Sequence, residues 1–151
     1  SSDLYALGDA VSALDFEDMR HFPPGAVLPA GGVAVVALSA AAFQSEYDVT
    51  PQFEIVDSDP TVPDLLDDPA WGDPAALFQL GNAGDEVVVI RWDGLVDVVT
   101  YGDGYHAGVI GCGLLVAPAR TLERRPYWRD TDSCPADFRA WPFPSPGSVP
   151  P

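Results

Sequence analysis

The sequence predicts an all-β domain of many short strands, and three observations lead there. It contains 14 Gly and 16 Pro in 151 residues, more than a helical chain tolerates, because proline removes a backbone donor and glycine adds backbone entropy. Its apolar segments are short, and the longest, "GGVAVVALSAAAF", falls below the roughly 18 residues that span a bilayer. Finally, Asn82-Ala83-Gly84-Asp85 and Asp93-Gly94 cut "ALFQLGNAGDEVVVIRWDGLVDVVTYGDG" into three apolar segments, the pattern of two consecutive hairpins. A chain of this length forms one domain and buries about 70% of the surface it exposes when unfolded.

Taken in order, "VAVVAL" (Val33 to Leu38) follows Gly31-Gly32 as a continuous apolar strand. "SAAAFQSEY" then reads as one short helix of about two turns with Ser39 at its N-cap. Phe53 to Val56 forms the next strand, after which Pro60, Pro63, Pro69 and Pro74 forbid regular structure, so that Asp57 to Pro74 is a long acidic loop. In the meander, Val87 to Arg91 is apolar on both faces and therefore central, and Leu95 to Tyr101 places Asp97 at a sheet rim or in a hydrogen bond. The segment from Arg120 to Gly147 closes the fold. It holds five of the seven basic residues, interleaved with Glu123, Asp130, Asp132 and Asp137, which is a pairing pattern rather than a basic patch. "TLERR" forms its closing strand with Leu122 inward, and "DTDS" shapes a turn. Phe138, Trp141 and Phe143 anchor the chain, and at least one of Arg124 and Arg125 is a clamp, partly buried against a carboxylate. The domain spans 1–147, with 148–151 as a Pro-rich tail.

Charge narrows the partners. The formal charge is 7 − 23 = −16, lysine is absent and the pI is near 4.1, which excludes nucleic acid and anionic membrane surfaces, whose binding rests on clustered cations. Such acidity fits an extracellular protein, a halophilic cytoplasm, or a genome rich in Ala, Asp and Arg codons. Cys112 and Cys134 match neither a zinc knuckle nor a redox pair. They form a disulfide or remain two buried thiols, and the polar loop around Cys134 favours the bond.

Chemistry-bearing residues are few. His21 and His106 are the only neutral-pH bases, and neither has a visible partner set; no Gly-x-Ser-x-Gly elbow or His-Glu-x-x-His helix occurs, so no catalytic residue is assigned. Asp57, Asp59, Asp64, Asp67, Asp68 and Asp73 share one loop without a basic residue. Hard oxygen ligands at that density suit calcium, with Asp57, Asp59, Asp64, Asp67 and Asp68 as ligands. The EF-hand register fails, because its sixth position is Val62 and Pro60 intrudes. The alternative is a solvated acidic loop and no cofactor.

Three stretches, "LPAGGVAVVALSAAAFQSEY", "FQLGNAGDEVVVIRWDGLVDVVTYG" and "LERRPYWRDTDSCPADFRAWPFPSPG", occur in an order that resembles successive landmarks of the lamin tail domain, and "YALGDA" (Tyr5 to Ala10) resembles that family's early strand. The resemblance covers most of residues 4–147. It implies an immunoglobulin-like β-sandwich of the type found in nuclear lamins and in bacterial secreted or surface proteins, often beside hydrolase or nuclease domains. The chain departs from the family in lacking its usual opening strand before Ser1 and in a longer acidic segment. No catalytic residue is carried over. The resemblance implies a noncatalytic, monomeric module of an exported bacterial protein, extracellular or at the cell surface, which displays loops to a protein or surface partner or holds neighbouring domains. The alternatives are an accessory domain of a secreted hydrolase or nuclease, and a calcium-binding adhesion module.

Overall fold

A computed structural model describes residues 2–3, 6–8, 18–68, 78, 80–113 and 121–149. In chain order these form β1 (Ser2–Asp3), β2 (Ala6–Gly8), β3 (Met19–His21), β4 (Val27–Leu28), β5 (Val36–Ser39), α1 (Ala40–Tyr47), β6 (Phe53–Val56), β7 (Leu66–Asp67), β8 (Gly84–Arg91), β9 (Gly94–Gly102), β10 (Thr121–Arg124), α2 (Cys134–Asp137) and β11 (Phe138–Trp141). The chain is mostly β, as its composition predicts. A five-stranded antiparallel sheet in the order β7-β3-β2-β8-β9 carries the core, beside the two-stranded pairs β1-β4, β5-β6 and β10-β11.

The hairpin β8-β9 is the longest ladder, running from Gly84↔Gly102 to Arg91↔Gly94 with a register shift at Val89/Ile90. Its turn is Trp92-Asp93, one residue earlier than the Asp93-Gly94 turn the sequence predicts. Asp93 is held by a two-pronged bond from Arg91 (2.6 and 2.9 Å), and Gly94 takes the positive φ of 143° at the start of the return strand. β8 is central, as its apolar pattern predicts, but its second neighbour is β2, which satisfies its outer backbone groups over Val88–Ile90. Most of the predicted first strand of the meander lies outside the described residues, as do Tyr5, Asp9 and Ala10 of the early strand, Pro69, Asp73 and Pro74 of the acidic loop, Arg120, and the tail's last two residues.

Ala6, Met19, Val88 and Val98 form the core of this sheet, with Ile90 and Val109 packed against them. A Cβ at Gly8 would lie 2.6 Å from Met19 Cε, so a glycine there lets β2 approach the methionine. The edge-to-face pair of Phe22 and Phe53, with ring centroids 5.0 Å apart, joins the end of β3 to β6.

The region from Val33 to Val56 differs from the sequence expectation in a physically instructive way. The strand begins at Val36, because the Val35 N–H donates to Gln52 Oε1 (2.8 Å) and its carbonyl accepts from Gln52 and Phe53 N–H. Val33 and Leu38 are exposed, so this run is not buried on both faces. β5 pairs with β6 in parallel, a geometry that needs a crossover, and α1 supplies it. Ser39 caps α1 as predicted, its Oγ accepting from the Ala42 N–H (3.3 Å). A second, one-turn helix, α2, adds to the single one expected.

The acidic loop is not wholly irregular. Leu66–Asp67 pairs with β3 as the sheet's outer strand, where the missing donors of nearby prolines do not matter. In the closing segment β10 pairs antiparallel with β11, yet the inward residue is Glu123 rather than Leu122, and Phe143 is 73% exposed rather than an anchor. Among the described residues no helix is long and apolar enough to cross a membrane.

Candidate functional site

The acidic loop assembles a smaller and different set from the predicted ligands. Carboxylate oxygens of Glu54, Asp57 and Asp64 lie within 4.8 Å of one another. Asp67 and Asp68 turn away instead, to Arg20 Nη1 and to His21 Nε2 (2.7 Å). Asp59 Oδ1 accepts from the Thr61 N–H and hydroxyl (2.9 and 2.8 Å), a local turn bond. Arg20 also holds the buried Asp18 through Nε (2.6 Å).

Glu54, from β6, is 0% exposed. Ala40 N–H (2.7 Å) and the Ser58 hydroxyl donate to its Oε2, and Ser58 and Asp59 N–H to its Oε1 (3.0 and 2.8 Å). Burial pushes its carboxyl upward, but these four donors outweigh it and bring it from 4.5 down to about 2. Its acceptor capacity is filled by the helix N-terminus and the loop. Asp64 stands across a parallel bridge from Glu54, with Oδ1 buried and unpartnered; burial first, then the charges of Asp57 and Glu54, raise its carboxyl. Within this trio, Glu54 is already filled by its four donors, which leaves Asp57 and Asp64 as the carboxylates open to a cation among the described residues.

Each histidine meets a carboxylate that the sequence left invisible: His21 meets Asp68, and His106 Nδ1 meets Glu86 (2.9 Å).

The closing segment is tied at three points. Cys112 and Cys134 are disulfide-bonded, with Cα atoms 4.7 Å apart, and both are buried. Arg124 reaches from β10 to Asp97 on β9 (2.6 Å) and to Asp130 (3.2 Å). Arg125 closes on the buried Glu123 through Nε and Nη2 (3.0 and 2.7 Å), while its guanidinium lies 4.1 Å over the Trp141 ring. Both arginines are thus clamps, and the "DTDS" turn is centred on another buried acid, Asp137. Burial raises the Asp137 carboxyl, and hydrogen bonds from Thr131 and Ser133 more than reverse that.

This bracing frames an open groove of about 410 Å³ between α1 and the C-terminal segment, lined by Val33, Phe43, Tyr47, Tyr127, Glu123 and the stretch 144–148 among others. Phe43 and Tyr47 pack with their rings tilted at 44° and centroids 4.8 Å apart on one wall. On the other stands Tyr127, whose ring meets that of Trp128 edge-on at 5.1 Å; Trp128, 70% exposed, adjoins Tyr127 without lining the groove. Read from the sequence, Phe43, Tyr47, Tyr127 and Trp128 have no role, the anchors being Phe138, Trp141 and Phe143 instead, and the signal missed was "PYW" in a segment already tied by its cysteine and arginines. The chain matches no protein-family model, no curated protein and no solved structure.

Proposed function

We propose that this chain is a noncatalytic binding module of an exported bacterial protein, built as a lamin-tail-like β-sandwich. One observation carries the reading: an aromatic groove stands open on a segment that a disulfide and two arginine clamps hold rigid. Exposed Tyr and Trp provide large contact area at small entropic cost and dominate recognition surfaces, and a rigid frame lowers the ordering cost of binding. The disulfide supports an oxidising, extracellular setting. The antiparallel sheet, with a smaller closing pair, supports the sandwich, and the order of the three sequence landmarks supports the family.

Arrays of extracellular glycans and proteins test the binding, and a panel of ester, peptide, glycoside and phosphate-ester substrates tests the absence of catalysis. Binding on the first and no turnover on the second are expected. Turnover lost in His106→Ala or His21→Ala would contradict the proposal.

A further inference from the structure

We propose a second docking site, on the outer edge of β9, for an extended lysine- or arginine-bearing segment of a partner protein. It lies apart from the aromatic groove and does not depend on that reading. β9 is the last strand of the five-stranded sheet. Its C-terminal half is covered, since Cys112 N–H donates to the Thr100 carbonyl (2.8 Å) and Gly102 N–H to the Gly113 carbonyl (3.1 Å). Backbone alternation turns the N–H and C=O of Val98 to the same outer side, and no described residue pairs with them. Among the described residues, the cover given by 110–113 stops short of the edge from Gly94 to Val98, along which Val98 is buried and Leu95 and Val96 are exposed.

A groove of about 300 Å³ runs beside it, lined by Leu95, Val96, Asp97, Val98, residues 106–109 and Asp132. Leu95 and Val96 are 50% and 54% exposed, so an added strand would find apolar contact as well as backbone bonds. Charge selects the occupant. The acids lining this groove are Asp97, which Arg124 already holds, and Asp132, which has no ion pair among the described residues. On a chain of charge −16, a cationic segment is attracted, whereas a second copy would bring its own acids to the same edge. The carboxylates of Asp97 and Asp132 beside the edge also discourage self-pairing of this acidic chain.

A short fluorescent peptide of alternating lysine and valine is the probe, read by anisotropy at low and high salt against a peptide of equal charge interrupted by proline. Expected are binding that salt weakens, clear preference for the uninterrupted peptide, loss of about threefold in Asp132→Asn and of about tenfold or more in Val96→Arg, and no change in Tyr127→Ala. Asn tolerates the positive φ of 53° at position 132, and Val96 is exposed, so both variants keep the fold. Equal binding of both peptides, no binding, loss in Tyr127→Ala instead, or dimerisation of the protein that Val96→Arg abolishes would overturn the proposal.

Discussion

Glu54 ties three parts of the chain together through one buried carboxylate: the first turn of α1, the loop at Ser58 and Asp59, and its own strand. Replacing it by Ala orphans three backbone N–H groups, and we expect a loss of at least about 3 kcal/mol in denaturant melts. The pH dependence comes from its lowered carboxyl. A depressed folded value stabilises above the unfolded one, so this contribution is complete above 4.5 and disappears as pH falls toward about 2. In Glu54→Gln the acid limb of the stability profile should flatten in that window. Asp64 has the opposite sign. Its raised carboxyl penalises the charged form, so Asp64→Asn should raise the melting temperature at neutral pH, and the gain should shrink as acid protonates the wild-type group. None of this was legible in the sequence, where Glu54 is one polar residue in the strand "FEIV" and three of its four donors are backbone N–H groups, which no residue type announces.

At the scale of elements, the closing segment rests on Arg124 and Arg125, and the interleaving of arginines with acids made that pairing legible. Which acids they meet was not, because Asp97 lies 27 residues away from Arg124 and on another strand, β9, so that only the tertiary fold brings them together. Arg124 is part-buried, so Arg124→Met should cost about 2 kcal/mol, between the values for exposed and buried pairs. A double-mutant cycle with Asp97→Asn should show coupling of about 1 kcal/mol. Arg125→Met leaves Glu123 buried with, among the described residues, the Ser145 hydroxyl as its remaining side-chain partner (2.9 Å) and should cost at least as much. Two neutral substitutions would mean that the segment is not clamped. The helix α1 was readable from Ser39 and the strand β6 from its β-branched and aromatic residues. The parallel pairing of β5 with β6 was not, since strand direction is set by where the crossover lands.

Over the whole molecule, charge and surface decide more than the core. A chain of −16 repels itself, and screening by salt should raise its melting temperature. Millimolar calcium should do no more than sodium chloride at equal ionic strength, because Glu54 is already filled and Asp67 and Asp68 are engaged by Arg20 and His21; a chelator-reversible rise specific to calcium would show otherwise. The all-β class was legible from glycine, proline and turn signals, whereas the display of aromatics was hidden, because a sequence window cannot tell an inward Trp from an outward one. The measurement that bears most directly on the binding role compares wild type with the double variant Tyr127→Ala, Trp128→Ala on the glycan and protein arrays, at matched melting temperature. We expect the wild-type signals to fall to background in the variant, and signals that persist unchanged would contradict a role for the aromatic groove.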